Sequence, residues 1–334
     1  MNEYSYGKNK VEELNGGFLP IVDLPIVTIS VITYNSSKYV LETLKSIKNQ
    51  TYPNLILQIS DDFSKDNTVE LCRKWLKDNQ DRFIKSKIIV PEHNTGVSAN
   101  CNRALDYCET KYSKLIAGDD LLLPNCIKDN VEYMEEHSNA AVVFSKAKTF
   151  SVFYGIKCER GYKHDYEFFR KTPELQYKSL IEFGNTLPAS SVFWNVEILR
   201  ENKIRYDERI PLLEDYPMWI QLLRRGIYFH FLDKDTVLYR LNANSLSVGL
   251  FSPKFYRDNI LFYLYYYLDE IKEEKDRDNY YNLIADHETK FYTRCYNITN
   301  NMRIIHLIDC IKLAILNFLR LVKCIVSKNL IKEL

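Results

Sequence analysis

The run Ile26 to Ile32 is continuous and mostly β-branched, the pattern of a strand buried on both faces. Thr33-Tyr34-Asn35-Ser36-Ser37 breaks it, and helical spacing follows at Val40, Leu41, Leu44 and Ile47, ending near Pro53. The same unit then repeats. Ile56–Ser60 reads as a second strand, Val69 to Leu76 as a helix, Lys87–Val90 as a third strand, Asn100–Cys108 as a helix and Ser113–Ala117 as a fourth strand. Strands alternating with helices of this length predict an α/β fold with a mostly parallel, doubly wound sheet flanked by helices. Ala140–Phe150, Ser190–Phe193 and Tyr228–Leu241 read as further strands, and Pro217–Arg225 as a short helix. Residues 151–188 have no clear period, and we expect them to shape a substrate wall.

Two of the strands run directly into acidic pairs. Asp61-Asp62 follows Leu55–Ser60, and Asp119-Asp120 follows Lys114–Gly118. The carboxyl ends of strands form the ligand crevice of such a sheet. Carboxylates converging there repel unless a cation or hydrogen-bond donors hold them. An oxygen-lined site suits Mg²⁺ or Mn²⁺ carrying a diphosphate. Each pair has a plainer reading. Gly-Asp-Asp is good turn chemistry, and Ser64 or Asp66 could simply cap the next helix.

Other segments carry similar double meanings. Tyr34 could pack in the core or stack on a nucleobase at the mouth of the sheet. Asn94-Thr95-Gly96, leading to Asn100, opens a helix, whose start offers free N–H groups and a positive dipole end, or is an ordinary cap. Glu214-Asp215 before Pro217 is common helix-start grammar, or supplies a carboxylate that takes a proton from a hydroxyl.

Bulk properties exclude some classes. Lys plus Arg number 45 and Asp plus Glu 44, a net charge of +1 that gives no argument for nucleic acid. The eight cysteines contain no CxxC pair, which argues against zinc and reads as reduced thiols in a cytosolic protein. Residues 1–25 read as a loose leader without the apolar core of a signal peptide. From Phe255 the chain turns helical, so 251–334 reads as a C-terminal extension. In its last part, Met302 to Leu334, the polar residues His306, Asp309, Lys312, Asn317, Arg320 and Lys323 share one arc, with six basic residues against two acidic. Such a helix docks on its own domain or a partner, or lies on an anionic membrane surface.

The ordered set Val31–Asn35, Ile59–Thr68, Asn94–Asn100, Ala117–Asp120, Glu214–Tyr216 and Tyr239–Ser247 resembles the family 2 glycosyltransferases of the GT-A fold, over residues 26–250. The resemblance implies a Rossmann-like catalytic domain that uses a nucleotide-diphosphate sugar, UDP-linked. Thr33, Tyr34, Asn35, Asp62, Asn94, Gly96, Asn100 and Asp119 would bind that donor, with Tyr34 and Asp62 at the base and Asp119 at the ribose. Asp120 would hold Mn²⁺ or Mg²⁺, and Asp215, with Glu214 beside it, would be the general base of an inverting transfer. Two departures matter. Asn242 stands where similar members often have a metal-binding His, and Gln221-Leu222-Leu223-Arg224-Arg225 lacks the Trp of processive members. The expected role is addition of a single sugar to a saccharide or polyprenyl-diphosphate-linked acceptor in bacterial surface polysaccharide assembly, at the inner face of the plasma membrane. Two other classes compete. One is a nucleotide-sugar-binding protein without activity. The other is a dinucleotide-dependent oxidoreductase, although no G-x-G-x-x-G follows the first strand.

Overall fold

The structure is a computed structural model that describes residues 9–153, 156–161, 165–241 and 253–266. The elements in chain order are β1 (Lys10–Asn15), β2 (Val27–Thr33), α1 (Val40–Lys48), β3 (Leu55–Asp61), α2 (Thr68–Asp78), β4 (Lys85–Val90), α3 (Val97–Asp106), β5 (Tyr112–Ala117), β6 (Leu121–Leu122) and α4 (Cys126–Glu136). They continue with β7 (Val142–Phe153), β8 (Ile156–Gly161), α5 (Pro173–Phe183), β9 (Phe193–Asn195), α6 (Val196–Glu201), α7 (Asp215–Arg224), β10 (Phe229–Arg240) and α8 (Pro253–Tyr266).

One sheet, in the order β1-β4-β3-β2-β5-β9-β7-β10-β6 with β8 on β7, organises the described residues. Strands β4, β3, β2 and β5 are mutually parallel, as the repeating strand–helix pattern predicts. Beyond β5 the sheet is mixed: β9 runs antiparallel to both β5 and β7, while β10 is parallel to β7. Every residue of β3 is buried, and β2 is buried along almost its whole length, as expected for strands covered by helices on both faces. Val27, Ile29, Val31, Leu55, Leu57 and Ile59 pack with Val40, Leu44 and Ile47 of α1 and Cys72 and Leu76 of α2.

Two lysines sit buried inside this sheet, each with two hydrogen-bond acceptors. Lys114 Nζ donates to the carbonyls of Ser190 and Val192, at 2.5 and 2.9 Å. Burial pulls its pKa down to about 8. Lys87 Nζ donates to Tyr107 O and to Glu109.

Three expectations are corrected. The leader is not loose throughout, because Lys10–Asn15 forms an edge strand antiparallel to β4. Its charges are those of a protected edge: Glu12 pairs with Arg73 at 2.7 Å and Glu13 with Lys85 at 3.2 Å. The strand read at Ser190–Phe193 is shifted: residues Ala189–Ser191 form a 3₁₀ turn and the strand begins at Phe193. Residues 254–266 are not an appendage, since Lys254–Tyr266 belongs to the same compact unit as the sheet. Phe262 stacks on Tyr216 with ring centroids 4.1 Å apart. Asn242 and the helix read at 302–334 lie outside the described residues. Among those described, no helix is long and apolar enough to cross a membrane.

Candidate active site

The carboxyl end of β2 lies between those of β3 and β5, and both acidic pairs are fastened to it. Asp62 N–H donates to Thr33 O and Gly118 N–H donates to Ile32 O, each at 2.9 Å. Gly118 is required there by close approach. A Cβ at this position would lie 2.8 Å from Thr33 Cγ2 and 3.0 Å from Ser36 Oγ. The loop after β2 is latched to the loop after β3. Asn35, at φ +52°, takes the left-handed conformation that Asn tolerates, accepts from Lys65 N–H, and donates its own N–H to Ser64 Oγ. Tyr34 is left 49% exposed at this mouth.

The carboxylates have distinct surroundings. Asp61 accepts from Thr33 Oγ1, Ser64 N–H and Ser64 Oγ. Asp62 is 3% exposed and reaches across to the next loop. It accepts from Thr95 N–H, from Thr95 Oγ1 at 2.6 Å and from Gly96 N–H at 2.8 Å, with Arg103 Nη2 at 3.5 Å. Asn94 Nδ2 adds a bond to Asp62 O. Asn100 is buried and wholly engaged inside the protein. Its amide donates to Thr33 O and Ser60 O, and its oxygen accepts from Ser60 Oγ and Arg103. Thr33, Asp62, Asn94, Gly96 and Asn100 therefore fasten three loops to one another, a task their residue types alone did not reveal.

The start of α3 faces the loop that carries Glu214-Asp215. Gly96 is at φ +92°, and a Cβ there would lie 2.6 Å from Pro211 Cβ. Ser98 N–H donates to Pro211 O and Ser98 Oγ to Ile210 O, so this helix-start N–H is used within the chain. Asp215 accepts from Tyr216 N–H at 2.6 Å and from Asn185 Nδ2 at 2.7 Å. Burial raises its pKa, and those two donors oppose the rise. Glu214 is pushed up to about 8 by burial and by the neighbouring Asp215 charge. Cys101 lies near this pair and Asp62. Burial, then these carboxylates, push its thiol well above the usual range, which leaves it unreactive.

Asp120 is 1% exposed. Its carboxylate accepts from Arg240 N–H at 2.8 Å, while Arg240 Nε donates to Asp119 O and Nη2 pairs with Glu42. Burial and the Asp119 charge raise its pKa well above the carboxylate range. A buried carboxyl beside a second acid at a strand end is the donor set that a hard divalent cation stabilises. Mg²⁺ is commonly held by one or two carboxylates, with phosphate and water oxygens completing the shell. Among the described residues no group of three or more His, Cys, Asp or Glu is arranged to hold a metal.

Three contributors escaped the sequence reading. Asn185 lies in the aperiodic segment. Asp258 on α8 is fully buried and accepts from Leu212 N–H at 2.7 Å, which anchors the loop before Glu214. Tyr266 Oη donates to Asp207 at 2.8 Å in the same loop. A lone Asn or Asp among aromatic residues has no spacing that marks such a role.

The mixed sheet, with acidic pairs at the ends of β3 and β5, is an α/β architecture that solved structures share. Staphylococcus aureus TarS 1-349, solved in complex with UDP-GlcNAc, shares this fold at TM-score 0.55 and 22% identity, over 72% of this chain and 66% of that one. Escherichia coli WfaP, named a UDP-Glc:alpha-D-GlcNAc-diphosphoundecaprenol beta-1,3-glucosyltransferase, is 26% identical over 238 residues, covering 71% of this chain and 86% of that one. A Haemophilus influenzae glycosyltransferase is 28% identical over 250 residues, 72% of this chain and 75% of that one. Residues 28–190 match the family model described as glycosyl transferase family 2.

Proposed function

We propose that this protein moves one sugar from a nucleotide-diphosphate donor, a UDP-sugar, to a hydroxyl of a saccharide or lipid-linked acceptor in bacterial surface polysaccharide assembly, with inversion at the anomeric carbon. The observation that carries the reading is the Glu214–Asp215 pair. A buried carboxylate that accepts from Asn185 Nδ2 and Tyr216 N–H, beside a second acid, is suited to accept a proton from a hydroxyl. WfaP's name supports the donor and acceptor classes.

In this reading Tyr34 stacks on the base. Asp62 holds the wall of the base pocket through Thr95 and Gly96, and Asp119 faces the ribose. Asp120, beside Asp119, would hold a Mg²⁺ or Mn²⁺ ion, which when bound supplies neutralising charge to the leaving diphosphate. Asp215 removes the acceptor hydroxyl proton as that oxygen bonds to the anomeric carbon. The bond from that carbon to the diphosphate oxygen breaks on the opposite face, and the electron pair leaves with the nucleoside diphosphate. The test is Asp215→Asn. Sugar transfer should be lost while UDP affinity measured by calorimetry stays near wild type, because the residue acts on the acceptor. Loss of UDP binding in this variant would overturn the assignment.

A further inference from the structure

Asp215 is enclosed by the segment that follows α5. Gly184, at φ +79°, ends the helix by donating its N–H to Leu180 O. Asn185 comes next and donates Nδ2 to Asp215 Oδ2 at 2.7 Å. Its own oxygen accepts from Leu187 N–H at 3.0 Å. This pairing fixes the amide orientation, because turning it over would set oxygen against carboxylate and NH₂ against N–H. Leu187 is buried, and the 3₁₀ turn after it is pinned by buried Lys114 through Ser190 O and Val192 O. From the other side, Tyr216 Oη donates to Leu180 O at 2.5 Å, tying α5 to the residue after Asp215. The carboxamide is thus held from both directions, and it is a side-chain donor on the carboxylate that faces the acceptor side in the reading above.

We propose that Asn185 is the positioning residue of this enzyme's general base: its amide donates to the Asp215 carboxylate and fixes its orientation. The proposal rests on the reading of Asp215 as the base. The other titratable groups around Asp215 are Glu214 on the same loop, Cys101 of α3 and Tyr206 of the preceding loop. Each disfavours the charge or is neutral, and the charge is favoured by the Tyr216 N–H, by Asn185, its side-chain donor, and by the Asp215 backbone N–H. A role limited to loop packing would not depend on the donor character of the side chain.

The experiment is a ¹³C NMR titration of the full chain carrying ¹³C-carboxyl aspartate. The Asp215 signal is identified by its loss in Asp215→Asn. Loss of one charge-assisted donor should raise the Asp215 midpoint by about one pH unit or more in Asn185→Ala. Asn185→Asp has nearly the same shape but places a like charge there, and should raise it further. If the alanine variant does not fold, the aspartate variant carries the test alone. The acid limb of donor turnover should move upward with the midpoint, while UDP affinity stays unchanged. A midpoint within ~0.3 pH unit of wild type in the folded variants overturns the role of Asn185. Full turnover by Asp215→Asn sinks the base assignment itself, whatever the midpoint does, so the two failures are told apart.

Discussion

Tyr34 and Asp62 both sit at the nucleotide end of the site, yet the structure predicts opposite consequences for removing them. Asp62→Ala deletes the acceptor of the Thr95 N–H, Thr95 Oγ1 and Gly96 N–H bonds. It also takes a carboxylate from Arg103, whose side chain is buried 3.5 Å away. Bonds to a charged group contribute about 1.5–3 kcal/mol each but do not add within one network. Removing one partner of a buried ion pair costs about 3–5 kcal/mol, and we take that as the whole effect. A domain stable by roughly 5–15 kcal/mol would lose much of its margin. Tyr34→Ala cuts away a half-exposed ring and should change stability by about 0.5 kcal/mol or less. A lost base-stacking face of about 1–3 kcal/mol should nevertheless weaken UDP by roughly 5- to 150-fold. Urea unfolding followed by circular dichroism gives the first pair of numbers, and calorimetry with UDP, alongside GDP and dTDP, gives the second. Asp62→Ala within about 1 kcal/mol of wild type would refute the latch. Unchanged nucleotide affinity in Tyr34→Ala, with wild type binding, would refute the stacking face.

Three further outcomes follow from the same geometry. Glu214 titrates near 8 in the folded chain against 4.5 for the ordinary group, so its contribution to stability is complete below about pH 4.5 and is lost as pH rises through 8. Thermal melts should therefore show stability falling across that window, with a slope of at most about 1.4 kcal/mol per pH unit from this group, and Glu214→Gln should flatten it. Asp120→Asn keeps an oxygen for Arg240 N–H and removes a buried acid whose charged form burial disfavours, so the melting temperature should hold or rise while turnover falls ~10²-fold or more, as it should for wild type in EDTA. Asp258→Ala leaves Leu212 N–H without its acceptor and should cost about 1–3 kcal/mol in urea unfolding, with kcat reduced and UDP affinity kept.

The legible part of this chain is the part where one residue pattern has one physical solution. Apolar runs such as Ile26–Ile32 and Leu55–Ser60 can only be covered strands, and the helices between them then set the parallel order. Lys10–Asn15 was missed because an edge strand carries the same charges as a solvated leader, and only its pairing with Arg73 and Lys85 tells them apart. Asn185 and Asp258 were missed because their partners, Asp215 and Leu212, lie 30 and 46 residues away in sequence. Asp62 stands out in the sequence as half of an acidic pair at a strand end, but its donors come from Thr95 and Gly96, so its latching role emerges only with the tertiary structure. The Gly96 positive φ likewise becomes meaningful only once Pro211 is seen against it.

The central claim is that these strand ends hold a nucleotide-diphosphate sugar beside a proton-accepting Asp215. Its most direct measurement is consumption of a panel of UDP-, GDP- and dTDP-sugars by the full chain in Mn²⁺, read as nucleoside diphosphate released, with Asp215→Asn in parallel. The account predicts that a UDP-sugar is turned over, that EDTA stops it, and that Asp215→Asn is inactive while still binding UDP. Release of nucleotide at equal rates from Asp215→Asn and wild type, or no turnover of any sugar in the panel with no UDP bound, would contradict it.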